Sequence, residues 1–184
     1  MALSIASIRR IAQHLTRGGV IAYATESCFG LGCDVNNERA LQKILRIKRR
    51  PKAKGLIVIS DSAVRFSNLL APLTMQQSAQ VMATWPGAHT WLIPAKNRAR
   101  RALRGRHSAL AVRVTAHGDA RDLCFRLAMP LVSTSANRAG LRAIKTAREC
   151  GRQFGRQVLV IPGRIGTRKQ ASTIQDLSTG RILR

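Results

Sequence analysis

Pro130-Leu131-Val132-Ser133-Thr134-Ser135-Ala136-Asn137 changes character half-way along its length. Its first residues are apolar and typical of a buried strand, and a cluster of hydroxyl and amide side chains follows at the carboxyl end of that strand. The same succession occurs where the apolar run Val20–Ala24 leads into Thr25-Glu26-Ser27. Ligands of α/β sheets are usually bound at the carboxyl ends of strands. We therefore expect an α/β sheet with a polar ligand site at that edge.

Apolar periodicity extends this pattern to the rest of the chain. The predicted strands are 20–24, 56–59, 90–94, 109–114, 130–132 and 158–161, with a closing hairpin of 172–177 and 182–183. The predicted helices are 5–15, 40–47, 74–83, 119–127 and 144–154, with a short one opening at 61 or 62. The glycine-rich segment 30–34 is predicted as a loop of turns. Strands mixed with helices, some in direct succession, favour a sheet of mixed direction in a single domain over residues 1–184.

The charge of the chain is strongly positive. It has 32 Lys and Arg against 8 Asp and Glu, which gives a formal net charge of +24. Self-repulsion at this level destabilises a compact monomer, and a polyanion such as nucleic acid would relieve it. The densest basic run contains no acid and is predicted as an exposed loop; its members are Lys96, Arg98, Arg100, Arg101, Arg104 and Arg106. Solvated surface charge and polyanion binding both remain open for this run.

The cysteines and histidines are not spaced as metal ligands. The cysteines are Cys28, Cys33, Cys124 and Cys150, and none forms a Cys-x-x-Cys pair. A zinc site is therefore not expected, and the thiols are predicted to be free in a reducing cytoplasm. The sequence shows neither a secretory signal nor an apolar run of membrane-spanning length. These features favour a soluble, cytoplasmic protein without a membrane partner.

A second polar motif, Lys48-Arg49-Arg50-Pro51 with Lys54-Gly55 behind it, provides several fixed cations. The helix ahead of it should end before Pro51, because the residue preceding a proline disfavours the helical conformation. Fixed cations facing a hydroxyl cluster suit a polyanion with several oxygens, such as the triphosphate tail of a nucleotide. The glycine-rich phosphate loop and the Gly-x-Gly-x-x-Gly turn are both absent from the sequence. A nucleotide would therefore be bound by other means.

Three of the candidate residues have an alternative structural interpretation. Arg113 lies between Val112 and Val114 and points either to solvent or into a ligand pocket. Strand alternation by itself favours solvent. Ser135 and Asn137 could be plain helix caps rather than ligand contacts, because such clusters after a strand often begin a helix.

Six separated motifs together resemble the YrdC family. They are Ile21–Ser27, Phe29–Asp34, Lys48-x-Arg50-Pro51 with Lys54-Gly55-Leu56, Trp85-Pro86-Gly87, Leu110–Val114 and Ser133–Asn137. The likeness spans nearly the whole chain, and the length is similar to that of the bacterial single-domain form. The resemblance implies an open, twisted α/β sheet of mixed strand direction with helices and a large basic concave face. Ala24, Ala88-His89 and Ala171 depart from the family pattern and put loop geometry rather than reaction type in question.

The resemblance also implies an activity. Such proteins are L-threonylcarbamoyladenylate synthases, nucleotidyltransferases that combine L-threonine, bicarbonate and ATP and release pyrophosphate. Mg²⁺ would be held through the phosphates, with no metal ligand from the protein. The product feeds tRNA-modification proteins that make threonylcarbamoyladenosine (t6A). The alternative is an RNA-binding maturation factor that uses the basic face on structured RNA without adenylate synthesis.

The same resemblance assigns the site. The family's Lys-x-Arg and Ser-x-Asn signatures fall on the candidate catalytic residues Lys48, Arg50, Ser135 and Asn137. The candidate substrate-binding residues are Thr25, Ser27, Lys54, Arg113, Ser172 and Arg184. This assignment predicts that residues distant in sequence converge around one ATP molecule, with the amino acid beside it.

Overall fold

A mixed β-sheet forms the centre of the molecule in the computed structural model, which describes residues 3–97, 99–138 and 141–184. Its strands in the described residues are β1 Ile21–Ala24, β2 Phe29–Gly32, β3 Ile57–Ser60, β4 His89–Pro94, β5 Ala109–Val114, β6 Leu131–Ser135, β7 Leu159–Val160 and β8 Thr173–Asp176. Their spatial order is β7-β1-β2-β6-β3-β5-β4-β8. The pairs β7/β1, β3/β5 and β4/β8 are parallel, and the others are antiparallel. This is the mixed sheet that the sequence predicts.

Capping side chains mark the start of most helices. The α-helices in the described residues are α1 Ile5–Thr16, α2 Glu38–Lys48, α3 Met75–Met82, α4 Arg101–Arg104, α5 Gly118–Leu127 and α6 Ala147–Phe154, and α4 begins without such a cap. Ser4, Asn37 and Thr74 each accept a backbone N–H of the first turn at α1, α2 and α3. Such a cap satisfies a donor that has no partner within the helix. None of the helices in the described part of the chain has the length and apolar character that a membrane crossing needs.

Both faces of the sheet carry a hydrophobic cluster. On one face, side chains such as Leu15 of α1 and Leu123 of α5 pack with Ile21, Tyr23 and Ile59 of the strands. The opposite face carries the larger cluster, to which α2, α4 and α6 contribute. Burying a Leu or Ile side chain stabilises the fold by about 1.5–3 kcal/mol. The helices are therefore held mainly by their apolar stripes.

The glycine-rich segment 30–34, predicted as a loop, is largely strand. Gly30 and Gly32 lie in β2, paired with Tyr23 and Ile21 of β1. A Cβ at Gly32 would lie 2.6 Å from Tyr23 Cε1 and 2.7 Å from the Val132 carbonyl oxygen. Glycine is needed here because the Tyr23 ring packs directly on the backbone. The prediction was wrong because glycine usually marks turns and here marks close packing.

The basic run is also more ordered than predicted. Residues 101–104 form α4, and Ala102 and Leu103 within it are buried. The exposed-loop prediction is therefore wrong for these residues, because two apolar side chains anchor the run to the core. Arg98 lies outside the described residues.

Candidate active site

Residues on one face of the sheet form the floor of a cavity. Residues opposite each other in a sheet, and residues two apart along a strand, point to the same face. The register therefore puts on this face the pair Gly30 and Ser135 and the neighbouring row Ser133, Ile57, Ala111, Leu92 and Asp176. The face is the one on which α1 and α5 pack further along, since Tyr23 pairs with Gly30. Several floor side chains are small and leave a cavity of about 510 Å³. That volume is in the range of small-molecule sites.

Most of the predicted site residues meet at this cavity. Eight of the ten line it, namely Thr25, Ser27, Arg50, Lys54, Arg113, Ser135, Ser172 and Arg184. Lys48 and Asn137 are not on its wall. The structure therefore brings together residues more than a hundred positions apart. Of the four signature residues, Arg50 and Ser135 lie on the cavity wall, whereas Lys48 and Asn137 do not.

Lys48 holds the loop that follows β6. Its Nζ donates to the Ser135 carbonyl oxygen at 2.5 Å, the Asn137 carbonyl oxygen at 2.9 Å and Asn137 Oδ1 at 3.0 Å. The Ser135 hydroxyl donates to the same Oδ1 at 2.6 Å. Three oxygens match the three N–H groups of an ammonium. Burial, and then the charge of Arg50, lowers the pKa of Lys48 to about 8, so it remains protonated at neutral pH.

Arg50 is turned into the cavity by the backbone at the end of α2. Arg49 takes the left-handed conformation (φ 49°) as the C-cap, and Pro51 prevents the helix from continuing. The Arg50 side chain folds back and its Nε donates to the Gly55 carbonyl oxygen at 2.9 Å. Burial, and then the charge of Arg184, lowers the pKa of Arg50. A nearby anion would favour the charged form of both guanidinium groups.

The segments on either side of β8 place Ser172 and Arg184 at the cavity. The predicted closing hairpin forms, with the Ile174 N–H donating to the Arg184 carbonyl oxygen at 2.9 Å. Arg184 Nε donates to the Ser172 carbonyl oxygen at 3.2 Å, and Thr90 Oγ donates to Ser172 Oγ at 2.9 Å. Burial, and then the charge of Arg113, lowers the pKa of Arg184. Residues 172–184 therefore place the Arg184 guanidinium on the cavity wall together with that of Arg50.

Arg113 is buried and does not point to solvent as strand alternation favoured. It is 7% exposed, lines the cavity and forms an ion pair with Glu26, with 3.0 Å between Arg113 Nη2 and Glu26 Oε2. Alternation correctly places Arg113 opposite Val112 and Val114. The prediction failed because the residues after β1 cover that face, which a local pattern does not reveal.

Sequence reasoning missed several residues of the cavity wall. Glu26, Cys28, Arg104, His107 and Arg168 all line it. Glu26 lies between the predicted site residues Thr25 and Ser27, Arg104 belongs to the basic run, and His107 follows it. Their positions in the sequence could therefore have indicated these three residues. Ala171, one of the departures from the family pattern, also lies on the wall.

Comparison with known proteins places the chain in a family. The family model Sua5_yciO_yrdC, described as telomere recombination, matches residues 13–184. The chain belongs to the Sua5/YciO/YrdC family. It is 57% identical to the threonylcarbamoyl-AMP synthase of Methylobacillus flagellatus over 95% of this chain and 98% of the relative. It is 53% identical to the enzyme of that name from Chromobacterium violaceum, over 96% and 91% of the two chains.

Solved structures of the family have the same fold. P. abyssi Sua5 in complex with L-threonine superposes with a TM-score of 0.91 at 26% identity, covering 100% of this chain and 55% of that one. This chain thus spans about half the length of that Sua5 protein. E. coli YciO superposes with a TM-score of 0.82 at 23% identity, covering 100% and 90%. The predicted fold class and the predicted family are both confirmed.

Proposed function

We propose that this protein is an L-threonylcarbamoyladenylate synthase, an enzyme that makes threonylcarbamoyl-AMP from L-threonine, bicarbonate and ATP. By reaction type it is a nucleotidyltransferase. The supporting observation is the cavity, where cations suited to phosphate and hydroxyls suited to an amino acid share one wall. The names of relatives more than half identical over nearly the full length agree with this activity.

The reaction needs two steps that balance without a strong protein base. The threonine amine adds to bicarbonate, forming a C–N bond and releasing water, which gives a carbamate. A carbamate oxygen then attacks the α-phosphorus of ATP, and the bond from that phosphorus to the bridging oxygen of pyrophosphate breaks. The attacking oxygen is already anionic, so the enzyme's task is to hold the reactants together and stabilise phosphate charge.

The geometry suggests how the residues share this task. Arg50, Lys54 and Arg184 face the phosphates as fixed cations. Ser135 lines the cavity from the end of β6, and Lys48 and Asn137 act by holding the chain where β6 passes into the following loop.

The amino acid is proposed to lie at the other end of the cavity, against the segment that follows β1. Thr25 and Ser27 of this segment line the cavity, and so does Ser172. Arg113 is bound to Glu26 in the same segment. We assign Arg113 to the threonine carboxylate because it is fixed to the segment that carries Thr25 and Ser27.

Magnesium is proposed to enter as MgATP. Among the described residues, no group of three or more His, Cys, Asp or Glu is placed to hold a metal ion. The acids on the cavity wall in the described residues are Glu26 and Asp176, and both are engaged within the protein. Phosphate oxygens and water therefore remain as the ligands, which is a usual arrangement for Mg²⁺.

The partners beyond the substrates are also proposals. The product would pass to tRNA-modification proteins in the cytoplasm that make t6A, and a single domain over residues 1–184 would carry the whole reaction. Binding of structured RNA to the basic surface is compatible with the net charge of +24. A role in RNA maturation without adenylate synthesis is not favoured, because it leaves the cavity and its cations without a use.

The test is direct detection of the product. The purified protein is incubated with threonine, bicarbonate and labelled MgATP, and pyrophosphate and threonylcarbamoyl-AMP are measured by enzymatic assay and mass spectrometry. We expect both products to require all three substrates. RNA binding by a folded protein that makes neither product would overturn the proposal.

A further inference from the structure

The carboxylate of Glu26 is held by two side chains of β5 and its continuation. Arg113 and Thr115 are two residues apart in extended chain, so their side chains lie on the same face. Thr115 Oγ donates to Glu26 Oε1 at 2.7 Å, and Arg113 Nη2 lies 3.0 Å from Glu26 Oε2. Thr115 is fully buried. Each oxygen of the carboxylate thus has its own neighbour.

The arrangement leaves donor capacity on Arg113. Arg113 Nε is buried and has no hydrogen-bond partner among the described residues, and the same holds for Glu26 Oε2. The contact between the two side chains therefore joins opposite charges without the alignment of a hydrogen bond. A buried N–H without a partner is costly, and a guanidinium has five N–H donors. Arg113 also lines the cavity, so a ligand anion there can accept from guanidinium N–H groups that reach the wall and that Glu26 leaves free.

The Glu26 segment is fixed from two further sides. The Glu26 carbonyl oxygen accepts the Arg168 N–H at 3.2 Å, and Thr115 Oγ accepts the His117 N–H at 3.2 Å. The first contact binds the loop ahead of β8, and the second binds the N-terminal end of α5. Thr115 therefore connects the Glu26 carboxylate to the start of α5, which packs on the same face of the sheet.

We propose that Glu26 and Thr115 are positioning residues, which orient the Arg113 guanidinium so that its free donors face the carboxylate of the amino-acid substrate. This inference rests on the proposed function and specifies how one substrate is recognised. Thr115 fixes the Glu26 carboxylate by a hydrogen bond, and the carboxylate fixes Arg113 by charge. Neither residue needs to touch the substrate itself.

The experiment compares Thr115→Val with Thr115→Ser. Valine keeps the shape of threonine and removes the hydroxyl, whereas serine keeps the hydroxyl. We expect Thr115→Val to raise the KM for threonine by about tenfold, as for loss of one hydrogen bond to a charged group. The KM for MgATP should change by less than about threefold, because the phosphate-facing cations are not altered. Thr115→Ser should stay close to the wild type in both.

A matched control separates positioning from stability. Thr84 has a part-buried hydroxyl that accepts from Trp91 Nε1 at 2.9 Å and does not line the cavity. Thr84→Val should lower Tm as Thr115→Val does, and leave both KM values unchanged. If Thr115→Val does not fold, Glu26→Gln replaces it, because the amide keeps the Thr115 contact and removes the charge that holds Arg113.

Direct binding distinguishes failure of this inference from failure of the proposed function. Equilibrium dialysis with radiolabelled threonine, with MgATP absent, requires no turnover. Absence of threonylcarbamoyl-AMP with the wild type refutes the proposed function. Wild-type threonine affinity in folded Thr115→Val, equal rises in both KM values, or a Thr115→Ser variant as impaired as Thr115→Val would each overturn the positioning role.

Discussion

Replacing Arg50 by alanine should lower activity while leaving the fold intact. The guanidinium donates from Nε to the Gly55 carbonyl oxygen at 2.9 Å and makes a longer contact of 3.4 Å to the Lys54 carbonyl oxygen. Its removal also relieves repulsion with Arg184, whose charge helps to lower the pKa of Arg50. Because these effects oppose each other, we expect the free energy of unfolding to change by about 1 kcal/mol or less.

The effect on catalysis should be larger than the effect on stability. A hydrogen bond from a charged donor is worth about 1.5–3 kcal/mol, and each 1.36 kcal/mol corresponds to a factor of ten. If Arg50 makes one such bond to a phosphate oxygen in the transition state, Arg50→Ala lowers kcat/KM for MgATP by about 10- to 160-fold. The loss should be seen in kcat/KM for MgATP, because Arg50 is one of the cations assigned to the phosphates.

The assay is continuous measurement of pyrophosphate release, with Tm recorded for each variant. Arg46→Ala is the matched control, because Arg46 is exposed on α2 four residues ahead of Arg50, carries the same charge and lies outside the cavity. It should retain wild-type kinetics. Wild-type kcat/KM in folded Arg50→Ala, or an equal loss in Arg46→Ala, would refute the assignment of Arg50 to the phosphates.

Three further predictions concern other parts of the molecule. Activity should decline as pH rises past about 8, because the folded-state pKa of Lys48 is lowered to about 8 and its neutral amine has two N–H groups for three oxygens. A rate profile that stays flat to pH 10 would contradict this role of Lys48. Between pH 8 and the ordinary lysine pKa of 10.5 the unfolded chain binds more protons than the folded one, so the contribution of Lys48 to the free energy of unfolding rises with pH in that range. Gly32→Ala should lower the free energy of unfolding by about 1–3 kcal/mol in urea titrations, because a Cβ would strike the Tyr23 ring, whereas Gly151→Ala, which meets open space in α6, should not lower it. Iodoacetamide should alkylate Cys28 before the buried cysteines, faster as pH rises because burial raises the pKa of this thiol. Threonine should slow that reaction because Cys28 lines the cavity next to Thr25 and Ser27, and peptide mapping that shows no protection would count against threonine binding there.

Local signals predicted the elements well where one short-range cause governs them. The helices predicted over 5–15 and 74–83 form as α1 and α3, within one or two residues at each end, and α2 ends before Pro51 as predicted. Prediction failed where a distant partner gives a residue its role. Gly32 lies in a strand because the Tyr23 ring needs the space.

The site divides in the same way. The order of residues by itself determined that hydroxyls and an amide stand at the end of one strand and that Lys48 and Arg50 stand at the end of one helix, because strand and helix patterns are set by neighbours in sequence. Only the tertiary structure decided that Lys48 holds the loop of Ser135 and Asn137 from behind while Arg50 enters the cavity. A period of two places a side chain on one face of a sheet, but whether water, protein or a ligand covers that face depends on chain segments packed there from far away.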